Sequence, residues 1–236
     1  MNKRTFVAIS VLFLILLVIN GCWNKNPLTG AAVAVNEPIK IGALLPLTGD
    51  AAAYGENAKK GIELAIEGTN LVVIYENGRC NAQDSAEGMK KLVAQEVKAV
   101  VGELCGDATT AAYEIAKESG IVMINPVSKD ISLNDIGEYD SKEYNKESLI
   151  GRQFVNRYRI EYNEDPGIFA AESYDAVLAL NEAFSKSDGS NEGVKNVLKD
   201  LKFNGASGLI DFDGNGDVNK PYNVLKVVNR EFVDSE

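Results

Sequence analysis

The chain has 236 residues, an ordinary globular composition and a formal net charge of −10, with no histidine. An acidic chain without a basic run is a poor partner for nucleic acid or for an anionic membrane surface. The lack of histidine excludes Ser-His-Asp and Cys-His nucleophiles, and every metal site that needs imidazole. The sequence also has no phosphate-binding loop, dinucleotide fingerprint or Gly-x-Ser-x-Gly elbow. We therefore expect no enzyme activity, no cofactor and no bound metal.

The N-terminus has the pattern of an export signal. Lys3 and Arg4 precede an apolar run from Phe6 to Ile19, which is short for a membrane span but suits the core of a signal peptide. The Ile19-Asn20-Gly21-Cys22 stretch that follows resembles a lipoprotein cleavage box. Residues 1–21 are thus predicted to be a lipoprotein signal peptide and Cys22 the lipidated residue. An uncleaved N-terminal anchor is the alternative, and both interpretations place the rest of the chain outside the cytoplasm, with no other membrane contact.

A flexible tether is predicted over residues 22–38, since this stretch contains Pro, Gly, Asn and Ala and shows no sustained period. The folded domain is expected to span residues 39–236. It opens with a buried-strand run from Ile39 to Leu45 that ends at Pro46. A Thr48-Gly49-Asp50 turn comes next, and a helix follows whose apolar positions recur at helical spacing: Ala58, Ile62, Ala65 and Ile66.

Short strands continue to alternate with helices along the next stretch of the chain. This order predicts an α/β fold with a parallel, doubly wound sheet. In such sheets ligands bind beyond the carboxyl ends of the strands. The predicted elements are strands at Leu71–Tyr75, Lys98–Gly102 and Ile121–Asn125, and helices at Ala82–Gln95 and Asp107–Ser119.

Two strings in this region, IGALLPLTGDAAAYG and GIVMINPVS, resemble the periplasmic binding protein type I family, the branched-chain amino-acid receptors of ABC transporters. The resemblance covers residues 39–134. It implies a non-enzymatic receptor in which two lobes close around an amino acid.

After Asn134 the family pattern breaks. The resembled receptors cross here to a second α/β lobe, whereas this chain has a short polar connection at residues 135–147. Residues 148–236 then resemble the family's return helices and closing strands. The resemblance implies that a lobe of about a hundred residues is absent. We expect a single lobe with C-terminal helices and a closing hairpin.

Cys80 and Cys105 are predicted to form a disulfide, because an exported chain with two remaining cysteines favours one bridge. Two unpaired buried thiols are the alternative. Cys80 follows the second strand and Cys105 the third, so both would emerge at one sheet edge if those strands lie on the same side of the first. The family resemblance also implies this bridge.

The resemblance implies a ligand site built from three loops. In the first, Tyr54 would form a wall for an apolar side chain, or would pack locally at the helix start. In the second, Gly106 and Asp107 replace a serine that contacts the ligand carboxylate. Backbone N–H groups at this helix start could still bind an anion, while Asp107 is expected to be the N-cap of the helix.

The third loop would contact the ligand's ammonium group through the hydroxyl of Ser128, if one residue has been lost relative to the family. Without that gap the position is Lys129, which would repel an ammonium group. The carboxylate that helps to neutralise the ammonium group belongs to the absent lobe.

The acidic stretch from Asp211 to Asp217 matches the early positions of a calcium loop, but Tyr222 stands where the loop needs a glutamate. A turn rich in Asn, Asp and Gly explains the same residues without metal. We predict a turn here.

The sequence therefore predicts an extracytoplasmic, amino-acid-type solute-binding receptor of an ABC transporter or sensor, reduced to one lobe with weak or altered ligand binding. Its expected partners are a small amino-acid-like ligand, and an ABC permease or a chain that supplies the other lobe. The alternative is a surface-tethered scaffold, for example a homodimer, that has lost small-molecule binding.

Overall fold

The computed structural model describes residues 37–126, 145, 148–218, 225–228 and 231–234, the last two segments by their backbone alone. Contacts group the chain from Glu37 onwards as one unit. The predicted signal peptide, Cys22 and the connection at 135–147, apart from Asn145, lie outside the described residues. Among the described residues, no helix has the length and apolarity needed to cross a membrane.

A parallel sheet of four strands lies at the centre, in the order β2-β1-β3-β4. A helix between each two consecutive strands from β1 to β4 returns the chain to the same end of the sheet, so the strands run parallel, as predicted. Ile39 of β1 lies opposite Leu71 of β2, and Ile41 lies opposite Ala99 of β3. The strand bounds are β1 Ile39–Leu45, β2 Leu71–Asn77, β3 Ala99–Gly102 and β4 Val122–Ile124.

Six helices are described, and several begin at a side chain that accepts hydrogen bonds from free N–H groups. Asn81 accepts from the N–H groups of Gln83 and Asp84, and Ser148 accepts from that of Gly151. The helix bounds are α1 Ala52–Ile66, α2 Ala82–Ala94, α3 Gly106–Glu118, α4 Leu149–Tyr162, α5 Ile168–Lys186 and α6 Asn191–Asp200.

Helices cover both faces of the sheet, which confirms the doubly wound α/β class. Side chains of a strand alternate between faces: Ile41 and Ala43 of β1 point to the larger apolar core, whereas Leu44 points to the smaller one. The larger core is shared with α1, α4, α5 and α6, and the smaller one with α2 and α3.

The return section packs on α1 at very short range. A Cβ atom placed on Gly61 would lie 2.1 Å from the carbonyl oxygen of Ala170, so α1 and α5 touch through their backbones. Asn57 fixes this crossing, since its Oδ1 accepts from the N–H of Ala170 at 2.8 Å and its Nδ2 donates to the Tyr158 hydroxyl at 3.2 Å.

The closing strands pair differently from the expected single hairpin. Strand β6 (Leu209–Asp211) pairs antiparallel with the preceding β5 (Lys202–Asn204), because a four-residue loop with a Gly205-to-Gly208 hydrogen bond reverses the chain. Strand β7 (Leu225–Val228) pairs with an unpredicted strand, β8 (Glu231–Asp234).

Candidate functional site

The loop after β1 carries the first predicted site residue and is tied to the end of β2. The N–H of Leu47 donates to Oδ1 of Asn77 at 2.9 Å, and Nδ2 of Asn77 donates to the Thr48 hydroxyl at 2.7 Å. Helix α1 then starts close to the loop, since a Cβ atom on Gly55 would lie 2.1 Å from the Pro46 carbonyl oxygen. These contacts hold the loop at the carboxyl edge of the sheet.

Tyr54 lies in the first turn of α1, half-buried at this edge, and its ring faces Phe169 at the start of α5 with centroids 4.8 Å apart. The tilt of 38° between the two planes is typical of packed aromatic pairs. Together the rings form a short apolar wall beside the end of β1.

The loop after β3 contains a buried carboxyl group. Oε2 of Glu103 accepts from the N–H groups of Leu104 at 2.6 Å and Cys105 at 3.2 Å, which bends the chain into α3. Oε1 of the same carboxyl group has no hydrogen-bond partner in the described part of the chain. Burial raises the pKa of Glu103, and the two N–H groups act against this shift.

The prediction that Asp107 is the N-cap of α3 is wrong. The helix begins at Gly106 and its N-cap is Cys105, which has extended backbone angles (φ −122°, ψ 134°). The cause is local, because the Glu103 carboxylate and the disulfide fix the backbone at Cys105, two residues before the expected N-cap. Asp107 is exposed in the first turn, where a negative charge still interacts favourably with the helix dipole.

The structure joins Cys80 and Cys105 in a disulfide, with Cα atoms 5.3 Å apart. The two strands do not lie on the same side of β1, however, because β2 and β3 flank it on opposite sides. The cysteines meet beyond the carboxyl end of β1, since the chain after β2 turns back through left-handed backbone at Arg79 and Cys80 (φ 53° and 51°).

Gly106 and the residue after β4 are the remaining described parts of the carboxyl edge of the sheet. Gly106 starts α3, and the Thr109 hydroxyl donates to the Glu103 carbonyl oxygen at 3.2 Å. Nδ2 of Asn125 donates to the Thr109 hydroxyl at 3.4 Å, which links the second loop to the third. Ser128 and Lys129 lie outside the described residues, so their predicted role stays a prediction.

The Asp211–Asp217 stretch folds as a turn closed by pairing between Phe212 and Val218. Oδ1 of Asp213 accepts from the N–H groups of Asn215 at 2.8 Å and Asp217 at 3.0 Å. Hydrogen bonds from these N–H groups lower the pKa of Asp213. The Asp213 carboxylate, at the third position of the calcium-loop pattern, thus accepts hydrogen bonds from the turn's own backbone. Tyr222 lies outside the described residues.

Sequence reasoning missed three residues of this edge: Asn77, Glu103 and Phe169. A single glutamate between an apolar strand and Leu104-Cys105 is a usable signal for a buried carboxyl group, because the neighbours on both sides are apolar. Phe169 gave no such signal, since an aromatic residue in a helical pattern predicts only burial.

Loops that converge at the carboxyl ends of adjacent parallel strands, beside a helix N-terminus, define the class of open α/β ligand-binding folds. Residues 38–145 match the family model described as periplasmic binding protein. The resemblance to the periplasmic binding protein type I family predicted from the sequence is thereby confirmed.

Curated relatives agree with this match over part of their length. The chain is 33% identical over 72 residues to the Leu/Ile/Val/Thr-binding protein of Salmonella typhimurium, which covers 30% of this chain and 19% of that protein. It is 33% identical over 101 residues to the leucine-, isoleucine-, valine-, threonine- and alanine-binding protein of Pseudomonas aeruginosa, covering 43% of this chain and 24% of that protein. The chain thus matches about a fifth of the relatives' length.

Solved structures show the same fold. The leucine-binding protein LivK of Thermotoga maritima aligns with a TM-score of 0.70 at 18% identity, over 84% of this chain and 98% of that chain. The branched-chain amino-acid transporter substrate-binding protein LivJ of Streptococcus pneumoniae, solved with isoleucine, aligns with a TM-score of 0.69 at 18% identity, over 84% and 99%. At this identity the likeness concerns the fold alone.

Proposed function

We propose that the chain is a non-enzymatic, extracytoplasmic solute-binding protein of the branched-chain amino-acid type, reduced to one lobe. The observation that carries this proposal is the family match over residues 38–145, the part of the chain that forms the sheet and its carboxyl-edge loops. The relatives that share this region are named for the amino acids they bind, and leucine, isoleucine and valine are named in both.

The ligand would lie at the carboxyl edge, between the aromatic wall and the start of α3. Tyr54 and Phe169 would contact an apolar side chain. Backbone N–H groups from Gly106 onwards would bind the ligand carboxylate, while the exposed carboxylate of Asp107 would weaken this contact by repulsion. Ser128 is proposed for the ammonium group.

The reduction to one lobe rests on the short path between sheet and return helices. Only the residues from Asn125 to Ser148 separate β4 from α4, and such a length is too short for a second α/β lobe. Small-molecule sites gain affinity by enclosing most of the ligand and expelling water. One lobe alone leaves part of the ligand in water, so we propose weak binding unless another chain supplies the second wall.

Titration of the monomer with leucine, isoleucine, valine, threonine and alanine, followed by NMR and calorimetry, tests this proposal. We expect dissociation constants of about a millimolar or weaker. Tyr54→Ala should abolish the residual binding, whereas Tyr113→Ala, which removes an exposed tyrosine of α3, should keep it. Micromolar affinity of the monomer would contradict the one-lobe proposal. A stable dimer that binds none of these ligands would favour the scaffold alternative.

The location and the transporter partner belong to the same proposal. Residues 1–21 would direct export, and a lipid on Cys22 would hold the domain at the membrane surface, near an ABC permease. Detergent phase partition of the full chain and of Cys22→Ser tests the anchor. We expect the unchanged chain in the detergent phase and the variant in the aqueous phase. Equal partition of both would contradict lipidation.

A further inference from the structure

The two cysteines of the Cys80–Cys105 disulfide differ in their exposure to solvent. Cys80 is partly exposed in the turn after β2, whereas Cys105 is buried, with 7% of its surface accessible. Thiol–disulfide exchange begins with the attack of a thiolate on a reachable sulfur. The exposure therefore directs an attacking thiol to Cys80 and makes Cys105 the leaving group.

Cys105 lies at the N-terminus of helix α3. It is the N-cap of α3, with extended backbone angles, and in the disulfide its side chain accepts no hydrogen bond from the first turn. A helix N-terminus lowers the pKa of a cysteine thiol and favours its thiolate. Disulfide exchange is faster when the leaving thiol has a lower pKa.

A buried carboxyl group lies beside both sulfurs. An oxygen of Glu103 and the two sulfur atoms lie within 4.8 Å of one another. Glu103 is fully buried, and its Oε1 makes no hydrogen bond within the described part. The groups that face the carboxyl are the N–H groups of Leu104, Cys105 and Cys80 and the hydroxyl of Ser85 on α2, and none of these carries a charge.

The backbone next to the bridge is held in an unfavourable conformation. Arg79 and Cys80 have φ values of 53° and 51°, in the left-handed region that side chains other than glycine rarely adopt. Left-handed residues of this kind persist only where surrounding contacts impose them. Opening the bridge would release one of these contacts and let the turn relax.

We propose that the Cys80–Cys105 disulfide is exchange-active and reacts with an external thiol at Cys80. The thiolate forms a bond to Sγ of Cys80, the Sγ–Sγ bond breaks, and its electron pair leaves on Sγ of Cys105. The Glu103 carboxyl gives its proton to this sulfur and is reprotonated from solvent. A second thiol then attacks the external sulfur of the mixed disulfide and releases Cys80 as a thiol. This proposal does not depend on amino-acid binding.

Adduct mapping on the unmutated full chain tests the direction of attack. The protein is exposed to reduced glutathione, quenched with acid, and digested for mass spectrometry, which also separates any adduct on Cys22. We expect the glutathione adduct at Cys80, in at least about ten-fold excess over Cys105. Equal labelling, an adduct mainly at Cys105, or no adduct while the native fold persists would overturn the proposal.

The proton donor is tested with Glu103→Gln, and Glu114→Gln, an exposed position of α3, is the matched control. The rate of reduction by dithiothreitol should fall at least about ten-fold in Glu103→Gln and stay unchanged in Glu114→Gln. The ratio of the unmutated rate to the Glu103→Gln rate should decrease as pH rises, because an ionised carboxylate has no proton to give. Equal reduction rates of the unmutated protein and Glu103→Gln at all pH values would show that Glu103 is not the proton donor.

Discussion

Asp175 is a buried carboxylate of α5 that holds the loop between β5 and β6. Its two oxygens accept from the N–H groups of Ala206 and Ser207, both at 2.7 Å, and from the Ser207 hydroxyl at 2.6 Å. The side chain is 1% exposed. A buried carboxylate stabilises a loop when all of its hydrogen bonds are made. Loss of this acceptor leaves a buried N–H group without a partner.

Asp175→Asn is therefore expected to lower the free energy of unfolding by about 2–3 kcal/mol, because an amide NH₂ group would face a backbone donor. Urea unfolding measures this change. Asp200→Asn, at the exposed end of α6, is the control and should change the free energy by less than about 0.5 kcal/mol. Similar values for the two variants would show that the buried bonds contribute little.

The ionisation of the single residue Glu103 is expected to make the free energy of unfolding depend on pH. Burial raises its pKa in the folded state. A carboxyl group with a raised folded-state pKa contributes stability that is complete below its unfolded-state pKa and is lost as pH rises through the folded-state value. The unmutated protein should thus lose stability relative to Glu103→Gln from acidic towards neutral pH.

Thermal unfolding of both proteins between about pH 4 and pH 8 measures this difference. We expect the melting temperature of Glu103→Gln minus that of the unmutated protein to increase with pH. A constant difference over this range would mean that Glu103 titrates alike in the folded and unfolded states.

At the scale of elements, the crossing of α1 and α5 decides how the return section meets the sheet. The contact depends on Gly61, whose missing Cβ leaves room for the Ala170 carbonyl group. Apolar residues of α1 (Ala58, Ile62, Ala65) and of α5 (Ala171, Tyr174, Val177) then pack in the larger core.

Gly61→Ala should destabilise the protein by about 1–3 kcal/mol, because the added methyl group forces two helix backbones apart. Replacement of an exposed helical glycine by alanine would instead stabilise the protein, since alanine favours the helix by about 1 kcal/mol relative to glycine. The matched control is Gly214→Ala in the acidic turn, where an added Cβ meets no atom within 4 Å. Denaturant unfolding compares the two, and a neutral or stabilising Gly61→Ala would contradict the close crossing.

At the scale of the whole molecule, the contacts from Glu37 onwards form one unit. Glu37 is itself tied to the sheet, since Asn70 donates to its carbonyl oxygen at 2.9 Å. A chain that begins at Glu37 therefore keeps every described contact.

Such a chain should unfold within about 2 °C of the full chain. A chain that begins at Ala43 loses half of the central strand β1 and should not fold. Calorimetry or circular dichroism of the two purified proteins checks this, and a large loss of stability in the chain from Glu37 would contradict the boundary.

Elements with strong local patterns were predicted well. Strand β1 has the predicted bounds, and α2 ends one residue earlier than expected. The Asn81 cap and the period of buried residues within α2 are local, so a short window of sequence contains them. The start of α3 was misplaced because Glu103 and the disulfide, rather than the helix sequence, set it.

The sequence by itself determined the alternation of strands and helices, the class of fold and the resemblance to a receptor family. These follow from hydrogen bonds and side-chain periods within single elements. Only the tertiary structure decided that β2 and β3 flank β1, that Phe169 faces Tyr54 and that Glu103 lies buried between two cysteines. Such contacts join residues as far apart as the 113 positions between Asn57 and Ala170, and they form only when burial of the whole core brings the elements together.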